Sequence, residues 1–314
     1  MIKVGLIGTG KWGENHLRVF SELENCELIG VADVDPEKEK MAKEFNTGFF
    51  TDYKELLSLV DAVSIVVPTH IHYKIAKDCL LEGKHVFIEK PITLDPEEAK
   101  ELVDLAKEKN LILAVGHLFR YNPAVLKLKE LLEDAGDIHY TTMRYIHSSK
   151  PPRKDMGVVF NFGSHLIDTM NFLFGKPKRV FCKKINYLSE EREDYANITL
   201  GYDSFAANLE VSWLHPLKKR DMWIIASNKK IYIDFLEQKI VVHPIKISYD
   251  KNEFSEPIEI EIKKNEPLKD ELKSFCESVE SGNEPINSGK VGFEAVRICD
   301  FCLKSADSGK EMEI

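Results

Sequence analysis

The sequence predicts an α/β protein in two parts: a parallel sheet covered by helices, then an α/β region with a large, mainly antiparallel sheet. Three observations predict it. Over the first 120 residues, short β-branched runs alternate with amphipathic helical patterns. From Ile138 onward the dominant periodicity becomes two. The chain, at 314 residues and 35.9 kDa, has the length of about two domains. In order, the early runs are Ile2–Ile7, Leu28–Ala32, Ala62–Val67, His85–Ile88 and Leu111–Val115. Helical patterns lie between them; in Glu97–Asn110, Leu102, Leu105 and Ala106 make one apolar stripe in a Glu- and Lys-rich segment. Such alternation implies parallel strands buried on both faces. A further helix reads over Asn122–Glu133. Between Ile138 and Ile262, segments such as Asn197–Leu200 and Ile231–Phe235 alternate in character, as one-face-buried antiparallel strands do. One helical stretch, about Phe160–Phe174, interrupts them, and Pro267–Ser281 and Lys290–Ser305 close the chain. The first domain is therefore 1–120 and the second 121–314, with the closing helices able to pack back on the first.

Composition narrows the class. With 43% hydrophobic and 30% charged residues the chain reads as globular, neither disordered nor collagen-like. No run approaches the roughly 20 apolar residues of a membrane span. The chain enters a strand pattern at once, so no signal peptide is read. A net charge of −9 disfavours nucleic acid and anionic membranes as partners. Six cysteines are too few for a disulfide scaffold, and a reducing cytoplasm fits them. Cys299 and Cys302, three apart in a helical pattern, read as helix packing. No His, Asp or Glu spacing supports a metal site.

Gly8-Thr9-Gly10-Lys11-Trp12-Gly13 follows the first strand and opens a helix. In such a loop Gly8 permits the tight turn and Gly10 lets the backbone approach a pyrophosphate on the helix N-terminus. Gly13 allows close helix–strand packing. Asp33 ends the second strand, 20 residues beyond Gly13, and can accept from ribose hydroxyls. The loop, with Lys11 and Trp12, and Asp33 together predict a dinucleotide site. A 2′-phosphate beside Asp33 would be repelled, and Val34, Asp35 and Pro36 supply no cation, so the expected cofactor is NAD.

His85-Val86-Phe87-Ile88-Glu89-Lys90-Pro91 adds a second signature. With the glycine loop it resembles the Gfo/Idh/MocA oxidoreductases. Val67-Pro68-Thr69-His70-Ile71-His72 fits the same family, as do Val115-Gly116-His117-Leu118-Phe119-Arg120-Tyr121-Asn122-Pro123 and the stretch from Gly157 to Asp168. The resemblance covers essentially the whole chain. It implies a Rossmann domain, a second domain with a large, mainly antiparallel sheet, and a sugar substrate bound between them. It also implies homo-dimers or homo-tetramers formed through the open face of that sheet.

Oxidising a secondary alcohol needs a hydride acceptor and a base. Lys90 follows a parallel strand at its carboxyl end, where ligands of such sheets bind. Free lysine, at a pKa of about 10.4, is a poor base, but desolvation and a positive nicotinamide both disfavour its charged form. The resemblance likewise makes Lys90 the general base or a proton relay. It places Glu89 on the nicotinamide ribose and a cis bond before Pro91. Pro68, Thr69 and His72 fall on the cofactor side, and His117 faces the cleft. Asn161, His165 and Asp168 fall at i, i+4 and i+7, one face of a helix. The resemblance makes His165 a second proton-transfer or hydroxyl-binding group. Many simple-sugar members carry Asp where this chain has Asn161, so a carboxylate–histidine dyad is not expected; Asn161 can bind a hydroxyl or amide. Asp168 is expected to orient local structure.

Arg144 to Lys154 is locally basic and reads as a loop, with Arg144, Lys150, Arg153 and Lys154 suited to phosphate. Val115–His117 and Arg120–Val125 look like the sugar-nucleotide branch, whose members oxidise UDP-N-acetylhexosamines or their uronic acids at C3. The leading expectation is therefore an NAD-dependent 3-dehydrogenase of UDP-N-acetylglucosamine type, with Arg120, Arg153, His117 and Asn161 among its substrate contacts. An inositol or free-sugar dehydrogenase is the alternative. A catalytically silent NAD-binding sensor is the alternative of another class.

Overall fold

β-Branched segments flanked by glycine turns and amphipathic helices pair side by side at the start of the chain. In the computed structural model, which describes residues 1–150 and 152–314, they build a six-stranded parallel sheet. Its strands are β1 (Ile2–Ile7), β2 (Cys26–Ala32), β3 (Gly48–Phe50), β4 (Ala62–Ile65), β5 (His85–Ile88) and β6 (Leu113–Val115). Their order, β3-β2-β1-β4-β5-β6, is that of a dinucleotide-binding doubly wound sheet, with the topological switch between β1 and β4. Helices α1 (Gly13–Glu22), α2 (Glu39–Glu44), α3 (Tyr53–Leu57), α4 (His72–Leu81) and α5 (Pro96–Glu108) connect them. Strand β3 was not expected: three residues are too few to show a period, and their pairing with Gly30–Ala32 defines them.

This sheet belongs to one of two compact units, Met1–Leu118 with Glu266–Val296; the other is Phe119–Asn265 with Arg297–Ile314. The second unit opens with α6 (Pro123–Leu132), whose first turn is capped by Asn122 Oδ1 accepting from Ala124 N at 2.9 Å. Its nine-stranded sheet contains β7 (Ile138–Ile146), β8 (Arg179–Ile185), β9 (Tyr195–Gly201), β10 (Ala206–Ser212), β11 (Lys219–Ala226), β12 (Lys230–Asp234) and β13 (Lys239–His243). A separate pair, β14 (Ile245–Lys246) and β15 (Glu253–Phe254), precedes β16 (Ile258–Ile260), and β17 (Met312–Glu313) adds the last edge. The order is β16-β13-β12-β11-β7-β10-β9-β8-β17. Every pairing is antiparallel except β7 with β10, and a parallel pair needs a long crossover. That crossover carries α7 (Ser164–Phe174), which is preceded by one π-helical turn, Val159–Gly163. Met143, Leu209, Met222 and Ile233 point to the buried face. Arg144 was expected in a loop. It lies within β7 on the other face, where its Nε and Nη2 donate to Asp221 at 2.8 and 2.6 Å.

Helix α8 (Pro267–Ser281) returns to the first unit and α9 (Gly289–Ser308) follows. Phe275 of α8 is fully buried against Phe87 of β5, ring centroids 5.7 Å apart, in a cluster with Phe20, Leu272 and Val4. The six cysteines are buried and form no disulfide among the described residues, Cys299 and Cys302 among them. No helix among the described residues is long and apolar enough to cross a membrane. Phe275→Ala is expected to destabilise the protein by about 3–5 kcal/mol, read by urea denaturation. A change below about 1 kcal/mol would show that α8 is not integral to this core.

Candidate active site

The turn after β1 is built around two close approaches. Gly8 sits at φ +95°, and a Cβ there would lie 2.4 Å from the Val66 carbonyl oxygen. A Cβ on Gly13 would lie 2.2 Å from the Gly8 oxygen, whereas one on Gly10 meets nothing within 4 Å. Gly8 and Gly13 are thus demanded by packing, and Gly10 presents open backbone to a cavity of about 410 Å³. Gly8, Asp33, Val34, Pro68 and Lys74 also line it. No side chain caps the N-terminus of α1, whose Glu14, Asn15 and His16 N–H groups donate to the Gly10 and Trp12 carbonyls, and the positive end of its dipole remains to attract an anion. These features fit a dinucleotide: phosphates against Gly10 and the helix end, a nucleoside in the cavity. Lys11 and Trp12 stand exposed on the same loop.

Asp33 closes that cavity. Thr9 donates to its Oδ2 through both N and Oγ1 at 2.7 Å, and Asp35 N donates to Oδ1 at 3.0 Å. Burial pushes the carboxyl up, but these hydrogen bonds and the nearby Lys38 ammonium outweigh it and hold it below the usual range. Lys38 lies two residues beyond the cation-free Val34–Pro36 stretch. Proximity in the turn, not adjacency, brings it to Asp33.

At the end of β5, Glu89, expected on the nicotinamide ribose, has its carboxylate engaged by neighbouring donors. Its Oε1 accepts from Trp12 Nε1 at 2.7 Å and from His16 Nε2 at 3.1 Å, and its Oε2 accepts from Lys90 N at 3.2 Å. A carboxylate only accepts, so His16 carries its proton on Nε2, and its Nδ1 meets Ser64 Oγ at 3.0 Å. Burial raises the Glu89 carboxyl, yet His16 first, then Trp12 and Lys90, hold it below the ordinary glutamate value. Gly116 makes the room: a Cβ there would lie 2.8 Å from Oε1. His16 was not singled out in the sequence, although its position three residues past Gly13, on the inward side of α1, is the signal that finds it.

Lys90, half-buried, precedes a cis Lys90–Pro91 bond. His72 is buried and spans two carbonyls, Nδ1 to Pro91 at 2.9 Å and Nε2 to Val67 at 3.0 Å. It therefore ties the end of β4 to the turn after β5. Thr69 and His117 are likewise buried in this unit.

In the second unit, Asn161 lies in the π-helical turn, a feature that concentrates at functional sites. The turn is fixed at its start by Glu193, whose buried Oε1 accepts from Val159 N at 2.9 Å. His165, 5% exposed, packs against both Phe119 and Tyr145, ring centroids 5.0 and 5.6 Å away. Asp168 takes Arg120 in a buried fork: Nε to Oδ1 and Oδ2 at 3.0 and 3.1 Å, Nη2 to Oδ1 at 2.8 Å. Phe172 lies 4.8 Å from that guanidinium. Arg120, expected as a substrate contact, is thus engaged by Asp168 as a strut holding α7. Arg153 pairs with its neighbour Asp155 through Nε and Nη2 at 2.8 and 2.5 Å. Pro151, in the same basic stretch, lies outside the described residues.

Residues 2–117 match the oxidoreductase family with an NAD-binding Rossmann fold (Gfo/Idh/MocA), and residues 125–232 match the Gfo/Idh/MocA C-terminal domain. UDP-N-acetylglucosamine 3-dehydrogenase of Acidithiobacillus ferrooxidans is 31% identical over 245 residues, 77% of each chain. Inositol 2-dehydrogenase of Rhizobium meliloti is 25% identical over 100% of this chain and 99% of its own. The solved structure of the Acidithiobacillus ferrooxidans enzyme gives a TM-score of 0.88 at 26% identity, covering 98% of both chains. Levoglucosan dehydrogenase in complex with NADH and levoglucosan gives 0.89 at 20% identity over 100% and 99%, a likeness of fold alone.

The lowered Glu89 carboxyl has a testable sign. Its stabilisation is whole above the ordinary glutamate value of about 4.3 and is lost as pH falls through the lower folded value. Glu89→Gln is expected to cost about 1.5–3 kcal/mol at pH 7. The difference from wild type should shrink below about pH 4. Urea titrations at both pH values check it; a pH-independent difference contradicts the assignment.

Proposed function

The chain belongs to the Gfo/Idh/MocA family of NAD(P)-dependent oxidoreductases acting on sugar hydroxyls, and from that premise we propose that it oxidises C3 of a UDP-N-acetylhexosamine with NAD. One observation carries the chemistry: Lys90 stands at the carboxyl end of β5. Its own N–H is held by Glu89, and the next carbonyl by His72. The nucleotide-sugar substrate is supported by the 31% identity to UDP-N-acetylglucosamine 3-dehydrogenase over 77% of both chains.

NAD, when bound, supplies the hydride acceptor. The hydroxyl proton then needs a base, and Lys90 Nζ is the group we assign to it. His165 is the second group able to bind or protonate the substrate oxygen, and its aromatic neighbours keep water from the ring. Asn161 offers an amide to a hydroxyl or an acetamido group and takes no proton, which leaves the base role to Lys90. Asp33, held ionised, accepts from ribose hydroxyls and repels a 2′-phosphate; Lys38 and Lys74 nearby weaken that repulsion without removing it. The same reading extends to homo-dimers or tetramers through the open sheet face, where Tyr140, Trp223 and Tyr232 lie.

Turnover is tested by following NADH absorbance over UDP-sugars, inositols and free sugars. Oxidation of inositols or free sugars alone would discard the nucleotide-sugar reading. Lys90→Met is expected to lose at least about a hundredfold in kcat while NAD affinity holds; turnover near the wild-type rate rules Lys90 out as the base. In parallel titrations, wild type should bind NAD more tightly than NADP, and Asp33→Ser should narrow the gap. Tighter NADP binding by wild type would reverse the cofactor assignment.

A further inference from the structure

At one end of the nine-stranded sheet, positive charge gathers with no carboxylate within ion-pair distance among the described residues. Arg220 opens β11 directly across from Tyr145 of β7. Its guanidinium carbon stands 4.1 Å from the centre of the Tyr145 ring. It is on the sheet face that buries Met222 and Ile224, and its Nε is shut off from solvent with no hydrogen-bond partner among the described residues. His147, just past the end of β7, is 7% exposed and has its Nδ1 3.2 Å from Ser149 Oγ. Burial, then Arg220, Lys218 and Lys150 in turn, push its imidazole below the ordinary range, so these three cations crowd one site.

The rest of the chain makes this unusual. Arg18, Arg120, Arg144 and Arg153 each lie against a carboxylate. Acids outnumber Lys and Arg by 52 to 43, so they are not in short supply. Yet among the described residues none of Arg220, Lys218 and Lys150 is within ion-pair distance of one. A half-buried cation that meets a tyrosine ring and its hydroxyl but no carboxylate is under-compensated, because such contacts are weak beside the penalty of desolvating a charge. An anion arriving there would meet a fork of N–H donors, an imidazole and two flexible ammonium groups. The site also borders the proposed chemistry. Tyr145 stacks on Phe162 of the π-helical turn at 4.2 Å and lies 5.6 Å from His165.

We propose that Arg220, with Lys218 and His147 around the Tyr145 ring, forms a binding subsite for a phosphate group carried by the sugar substrate. The inference rests on the sugar-oxidation reading and narrows it to phosphate-bearing sugars, whether nucleoside diphosphate sugars or sugar phosphates. It shifts the expected phosphate contact from Arg153, which Asp155 engages, to a strand residue with no acidic partner.

The test uses the full chain saturated with NAD, with inorganic pyrophosphate, UDP and glucose 6-phosphate as calorimetric probes. Wild type is expected to bind pyrophosphate with an affinity that falls as salt rises. Arg220→Met should weaken it by about tenfold or more, and Arg220→Lys should lie between, since it keeps charge but loses the fork. NAD affinity and the thermal melting point serve as folding controls. Selective loss of UDP binding assigns the subsite to nucleotide diphosphates, and selective loss of glucose 6-phosphate binding assigns it to sugar phosphates. No pyrophosphate binding by wild type, or equal binding by wild type and Arg220→Met, overturns the proposal. Turnover separates the two claims. If a UDP-sugar is oxidised and Arg220→Met leaves its KM unchanged, the subsite fails and the activity stands. If no sugar is oxidised while Arg220-dependent pyrophosphate binding persists, the activity reading fails and the subsite stands.

Discussion

A carboxylate taken out of water at the end of a parallel strand must be met by donors from several directions, and the first unit is arranged around doing this for Glu89. Trp12 and His16 reach it from α1, the Lys90 N–H from its own turn, and Gly116 on the neighbouring strand leaves the space it fills. One buried charge thereby fixes three things together: the phosphate-loop helix, the end of β5 and the backbone of Lys90. His72 works beside it, joining the Val67 and Pro91 carbonyls across the ends of β4 and β5. The loop that fits phosphate and the lysine that fits proton transfer are then parts of one hydrogen-bonded assembly, and neither can shift far without breaking a buried bond.

In the second unit, ions and aromatic rings divide the same task. The Arg120–Asp168 fork locks α7 from one side, and Glu193 holds the first N–H of the π-helical turn from another. Phe119 and Tyr145 stack against His165, and Phe162 stacks on Tyr145 behind it. A polar side chain so enclosed has few rotamers open to it, a restriction that the proton transfer proposed for His165 would need. Arginines at the same end of the chain order therefore have opposite fates: Arg120 and Arg153 are engaged by carboxylates, whereas Arg220 faces a ring.

Much of this was legible in the sequence, because local physics dictates it. Strand–helix alternation over the first 120 residues requires a parallel sheet, the glycine spacing requires a tight loop at its switch point, and period two requires a one-face-buried sheet. Gly8, Gly13 and Asp33 occupy the positions their spacing implies, since a turn, a close packing and a strand end depend on few residues. What pattern could not reach was pairing between segments far apart. Strand β3 exists only through its pairing with β2, and β17 only through its pairing with β8, where Met312 meets Val180 across 132 residues of chain. The parallel β7–β10 pair interrupts an otherwise antiparallel sheet because α7 intervenes between them.

The same division governs the site. By itself the sequence determined which residue types stand at strand ends and helix starts, and so where a dinucleotide fits and where the proposed proton transfer would lie. Only the tertiary structure decided who neutralises whom. Arg120 and Arg220 are the same residue type, and the sequence offers no reason to separate them. Across 48 residues the first meets Asp168, while across the sheet the second meets Tyr145. Charge compensation is a property of distances of a few ångströms between segments, and a linear pattern carries no record of those distances.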